Sequence, residues 1–99
     1  MLNINKKADG DELVINLEGR LDTTTAPDLE AELSKSLEGV KNLKFDMVGL
    51  DYISSAGLRV LLSTLKIMNK QGSMVLTNVS EEINEIFEVT GFSDILTIE

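Results

Sequence analysis

Apolar residues along this chain switch repeatedly between a two-residue and a three-to-four-residue spacing, and the switches predict its elements. Leu2 and Ile4 alternate with Asn3 and Asn5, the pattern of a short strand. Asp9, Gly10 and Asp11 mark a turn. Leu13, Val14, Ile15 and Leu17 form a second strand, so the chain opens on a hairpin. Thr23, Thr24, Thr25 and Pro27 then stop the strands and start a helix. A Thr N-cap offers its side-chain oxygen to the free backbone N–H groups, and Pro is tolerated in the first turn. Asp28 and Glu30 suit the positive end of that helix's dipole. Ala26, Leu29, Leu33 and Leu37 make one apolar stripe, and Gly39 is the expected stop.

Leu43, Phe45 and Met47 restore the period of two and predict a third strand ending near Val48. The period breaks at Gly49 and returns at helical spacing with Leu58, Leu61, Leu62, Leu65 and Met68. This second helix is expected from Ser55 to about Gln71, with Arg59 and Lys66 off its apolar stripe and Gly72 ending it. Met74, Val75 and Leu76 are continuously apolar, as a buried parallel strand should be. Ser80 caps a third helix that presents Ile83, Ile86, Phe87 and Thr90 on one face and closes at Gly91. Ile95, Leu96 and Ile98 form a final strand or edge segment. The order is ββαβαβαβ. Strands separated by helices imply right-handed parallel crossovers, hence an α/β fold: a mixed sheet with helices packed on it. Residues 1–99 read as one domain.

Composition narrows the chemistry. The chain is 42% hydrophobic, enough for a core, and contains neither Cys nor His. That removes disulfides, Cys/His zinc sites, thiol nucleophiles and imidazole bases. No cofactor or metal is expected. Seventeen acidic against nine basic side chains leave a net charge of −8. Nucleic acid and anionic membranes are therefore poor partners, because phosphates need a basic patch. A basic protein surface remains open, and so does plain solubility. Neither a signal peptide nor a run of roughly 18 apolar residues is present, so the expected location is the cytoplasm.

One segment is not explained by packing. Between Asp51 and Leu58 two hydroxyls, Ser54 and Ser55, precede two small residues, Ala56 and Gly57, at a predicted helix start. Small residues there let another surface come close. The helix end offers free N–H groups and partial positive charge, so a phosphate on either serine would find donors in place. The same residues also suit a simple N-cap.

Two catalytic readings compete with a binding module. Asp9, Asp11, Glu12 and Asp46 imitate the acid set of a phosphate-accepting receiver domain, but such a fold needs a helix directly after its first strand, where Leu13–Leu17 reads as another strand. A carboxylate enzyme would need two acids in one cleft, and Asp22 and Asp51 lie near adjacent strand ends. Neither a G-x-x-x-x-G-K nor a G-x-G-x-x-G loop is present, and no enzyme activity is expected.

The segment DYISSAGLRVLLSTLK resembles the signature of bacterial anti-sigma factor antagonists, the STAS-domain regulators of sporulation and stress-response sigma factors. Leu17–Asp22, followed by threonines and a helix, resembles that family's G-x-L-D segment, and INEIFEVTGF resembles its third helix. The resemblance covers essentially the whole chain, in order. It implies a phosphoprotein of transcription regulation that acts through protein–protein interaction. The unphosphorylated form binds an anti-sigma factor that is also a serine kinase, and so frees the sigma factor. Phosphorylation ends binding, and a phosphatase resets it. The matching acceptor is Ser55, or Ser54, which stands where many members carry Asp. The implied partner surface is Asp22, Thr23, Thr24, Thr25, Ser54, Ser55, Ala56, Gly57 and Arg59, with Lys66 nearby, on a chain that is a monomer when free. The alternative is a STAS interaction module of a lipid-transport or stressosome-like complex.

Overall fold

In a computed structural model that describes residues 2–99, the chain forms one five-stranded sheet with three α-helices. The elements are β1 (Leu2–Asp9), β2 (Glu12–Leu21), α1 (Ala26–Ser36), β3 (Asn42–Ile53), α2 (Ser55–Gln71), β4 (Ser73–Thr77), α3 (Glu81–Thr90), a single 3-10 turn (Phe92–Asp94) and β5 (Thr97–Ile98). The strands lie in the order β1-β2-β3-β4-β5, with β1 antiparallel to β2 and every other pair parallel. The expected order ββαβαβαβ is the observed one. Each crossover steps one strand in the same direction, and right-handed connections then place all three helices on one face.

Burial follows from that one-sided cover. Leu13, Ile15 and Leu17 in β2, Leu43, Phe45 and Met47 in β3, and Met74 and Leu76 in β4 are all buried. Their alternating neighbours Asn16, Lys44, Asp46, Val75 and Thr77 are half-buried or exposed, as on a sheet with one solvated face. On β1 the core-facing row runs Leu2, Ile4, Lys6, and Lys6 closes the edge by reaching Glu32 (2.8 Å) and Ser36 (3.0 Å) on α1. The Lys6 hydrogen bond, reinforced by Lys35, holds the Glu32 carboxyl below its ordinary pKa.

Three details differ from the sequence expectation. First, β3 does not end near Val48 but continues to Ile53. Its partner register jumps from Asn16–Asp46 to Glu18–Gly49, and again from Gly19–Leu50 to Arg20–Tyr52, so β3 carries an extra residue at each jump. The buried positions consequently run 43, 45, 47, 50, 53, and two bulges mimic the end of a strand. Second, Thr25 is the N-cap of α1, yet its side chain caps no helix N–H. Third, the final segment is a 3-10 turn followed by a two-residue strand, with Leu96 buried between them.

α1 ends at Ser36, before the expected stop at Gly39, and Thr90 is exposed at the end of α3, whereas other signals hold. Ser80 accepts from the Ile83 N–H (3.2 Å), and Gly91 ends α3 at φ 83°, a left-handed geometry that glycine adopts without a Cβ clash. Gln71 at the end of α2 donates to the Leu37 and Val40 carbonyls beyond α1 (2.7 and 2.6 Å). In the receiver-like reading, Asp46 lies further along the sheet than the hairpin turn that holds Asp9, Asp11 and Glu12. Asp9 pairs with Glu12 across the hairpin turn, while Asp46 receives Asn78 (3.0 Å) from the loop after β4. Among the described residues no helix is long and apolar enough to cross a membrane.

Candidate functional site

The site is built where two adjacent parallel strands end. Leu21 is paired with Ile53, and the next N–H along the second strand, that of Ser54, donates to the Leu21 carbonyl at 2.9 Å. This bond fixes the start of α2 beside the turn that leads into α1. The carboxyl edge of an open α/β sheet is the usual place for binding, because the loops there are held by rigid strands.

Asp22 organises the first of the two segments. Its Oδ1 accepts from the Thr24 N–H (3.0 Å), the Thr24 hydroxyl (2.8 Å) and the Thr25 N–H (3.1 Å). The Thr24 hydroxyl bond is the largest cause; desolvation, second in size, opposes it, and the Thr25 and Thr24 N–H groups with the Thr25 hydroxyl add to it, so that the Asp22 pKa falls from 3.8 to about 2. Thr25 is buried; its hydroxyl donates to the Arg20 carbonyl (2.8 Å) and accepts the Asp22 N–H (2.8 Å). The hydroxyl expected to cap α1 thus locks the turn from beneath, and α1 starts on backbone bonds such as Ala26 N–H to Asp22 carbonyl (2.8 Å).

Ser54 and Ser55 divide the second segment between them. Ser54, in extended geometry, is the N-cap, and its Oγ accepts from the Gly57 N–H at 3.3 Å. Ser55 is the first helical residue and is exposed. It follows the strand directly, with Ser54 alone intervening, rather than sitting in a longer loop. Gly57 is buried, and a Cβ there would come within 2.7 Å of Leu21 Cγ and 2.9 Å of Ile53 Cγ1. The glycine is what lets α2 lie so close to the end of β2.

A shallow groove of about 200 Å³ joins the two segments, with Thr23, Ala26 and Pro27 on one bank and Ala56, Arg59 and Ser63 on the other. Thr23, Thr24, Ser55 and Arg59 are exposed, Asp22, Ser54 and Ala56 half-buried, and Thr25 and Gly57 buried. The residues singled out from sequence therefore converge on one edge, with two of them shaping it from below. Lys66 is exposed further along α2. Sequence reasoning passed over a neighbouring pair: Arg20 Cζ stands 4.3 Å from the centroid of the Tyr52 ring, and Arg20 Nε is 3.7 Å from Asp22 Oδ2. Only the bulged register sets Arg20 opposite Tyr52, and regular spacing gives no sign of it.

A family model described as the STAS domain matches residues 3–99. The chain is 33% identical over 98 residues to the anti-sigma-B factor antagonist of Bacillus subtilis (strain 168), covering 98% of this chain and 90% of that protein. It is 33% identical over 97 residues to the anti-sigma-B factor antagonist of Listeria monocytogenes, covering 95% and 84%. Among solved structures, an anti-sigma factor antagonist from Mycobacterium paratuberculosis superposes with a TM-score of 0.89 at 18% identity, covering 99% of this chain and 85% of that one. The anti-sigma factor antagonist SpoIIAA in its unphosphorylated form gives 0.76 at 18% identity, covering 100% and 87%. The structural likenesses establish the fold; the sequence relatives and the family match go further, and the chain belongs to the STAS domain family of anti-sigma factor antagonists.

Proposed function

We propose that this chain is an anti-sigma factor antagonist whose binding is switched off by phosphorylation of Ser55. Unphosphorylated, it binds an anti-sigma factor that is also a serine kinase, and the sigma factor is released. The carrying observation is an exposed Ser55 hydroxyl at the first position of α2, held beside the Asp22 turn by the Ser54–Leu21 bond. The partner surface is formed by Asp22, Thr23, Thr24, Ser54, Ser55, Ala56 and Arg59, with Thr25 and Gly57 supporting it. The chain acts by binding and has no catalytic role; ATP and Mg²⁺ arrive with the kinase, and a phosphatase restores the serine. The setting is the cytoplasm, and the free chain is a monomer.

The physics of the switch is local. A neutral hydroxyl beside Ala56 and Gly57 suits close, water-excluding contact. A phosphate adds a charge of about −1.5 to −2 and three acceptor oxygens. The helix start can meet part of that charge, so the fold survives. Burying the remainder against a partner costs several kcal/mol, and about 1.4 kcal/mol is a tenfold change in affinity. A hundredfold switch then needs no large conformational change.

The test uses the cognate anti-sigma factor kinase. Ser55→Ala should bind it, resist phosphorylation and keep the sigma factor released. Ser55→Asp should bind more weakly, though less so than the phosphorylated chain because Asp carries less charge. Both should melt close to the parent temperature. Phosphate incorporation into Ser55→Ala, abolished by Ser54→Ala, would move the acceptor to Ser54. Incorporation at neither serine would leave a constitutive binding module.

A further inference from the structure

Two arginines flank the junction of β3 and α2, and they are held very differently. Arg20 is stacked on Tyr52 and faces the Asp22 carboxylate. Arg59 is exposed and forms no ion pair with any carboxylate among the described residues. It lies one helical turn after Ser55, on the same side of α2. Helical Cα–Cβ bonds tilt toward the N-terminus, so an arginine at position 59 is set up to reach back toward Ser55 as well as into the groove it lines. Four residues rise about 6 Å along the axis, well within the length of an arginine. Lys66 is seven residues beyond Arg59, roughly 10 Å further on.

The first turn of α2 has donors to spare. The Gly57 N–H is used by Ser54 Oγ, and the Leu58 N–H by the Ser54 carbonyl (2.9 Å). The N–H groups of Ser55 and Ala56 make no hydrogen bond among the described residues. The other charged groups carried to this end are Arg20 and Asp22 at the end of β2, Glu30 on α1 across the groove, and Asp51 late in β3. A phosphate on Ser55 would thus be added to an end that already carries these carboxylates, one guanidinium engaged with Asp22 and Tyr52, and one that forms no ion pair among the described residues.

We infer that Arg59 is the intramolecular counter-ion of phosphorylated Ser55. The inference rests on the phosphoserine reading above and specifies how that site is regulated. Unmodified, Arg59 projects from the groove bank as a free cation available to a partner's acidic group. Phosphorylation draws it back onto the phosphate through charge-assisted hydrogen bonds, beside the two free N–H groups. One event therefore adds a dianion to the docking edge and withdraws the edge's free cation. It leaves Glu30 as the remaining charge lining the groove, with Asp22 in the turn beside it, and it stabilises the modified helix start against their repulsion.

The experiment installs phosphoserine at position 55 during translation of the full chain, so that no kinase is involved, and follows the second phosphate ionisation by 31P NMR. Replacing Arg59→Gln should raise that midpoint by about half a unit, roughly threefold in proton affinity. Arg59→Lys should recover part of the shift as a point charge, and Arg20→Gln should leave the midpoint nearly in place. The difference should fade in 1 M salt, where screening acts over roughly 3 Å. Equal midpoints for the parent and Arg59→Gln, or a shift produced by Arg20→Gln instead, would overturn the assignment. A kinase that ignores Ser55 would sink the switch reading without altering this titration, so the two failures are distinguishable.

Discussion

Asp22 ties together the turn between β2 and α1, and it does so chiefly with one oxygen. Three N–H and O–H groups converge on its Oδ1, and all of them favour the ionised form. Because the folded pKa is depressed, these bonds add stability that is fully present above the ordinary 3.8 and is lost as pH falls toward 2. Asp22→Asn should lower the melting temperature at neutral pH, and the gap between parent and variant should close between pH 4 and pH 2. Thermal melts followed by circular dichroism across that range test it; a gap that stays constant would mean the carboxylate is not what stabilises the turn. The sequence made Asp22 and the threonines legible as turn and cap residues. It did not reveal that Thr25 turns inward to the Arg20 carbonyl, because a Thr N-cap and a Thr that ties a turn have the same local sequence.

At the scale of the element, α2 and β3 behave oppositely. α2 was legible from end to end: apolar spacing, Ser54 in front and Gly72 behind coincide with the observed Ser55–Gln71. Its two serines nevertheless differ in what they contribute. Ser54→Ala removes the cap on Gly57 and should cost about 1 kcal/mol in urea unfolding, whereas Ser55→Ala, an exposed first-turn change, should stay within about 0.5 kcal/mol. Equal losses in the two variants would contradict the capping assignment. β3 was only half legible. Its bulges shift the buried row from a spacing of two to a spacing of three, so a continuous strand looks like a strand followed by a loop. The same bulges carry the chain to Ile53 and deliver α2 beside Leu21, which makes the site possible.

Across the whole molecule, stability comes from one core between a single sheet face and three helices. Phe45 sits at the centre of that sheet and is fully buried. Phe45→Ala should cost about 3–5 kcal/mol, a large share of the roughly 5–15 kcal/mol that holds a small domain folded. Urea denaturation should show a much lower midpoint with an unchanged slope. A loss below about 1 kcal/mol would mean that the sheet and helices do not share one core.

Hydrophobic periodicity, by itself, determined the element order, the helical stripes and the two segments that meet at the sheet's carboxyl edge. Those features depend on contacts within a turn or on a repeating period, and both are written in neighbouring residues. The tertiary structure alone decided the length of β3, the inward turn of Thr25, the placement of Arg20 over Tyr52 and the close seat of Gly57 on Leu21. Apart from the Thr25 turn, each of these depends on which residue of one strand lies opposite which residue of the next. Registry across a bulged parallel pair is set by the packing of the whole sheet, because strands far apart in sequence have no local turn to fix their alignment.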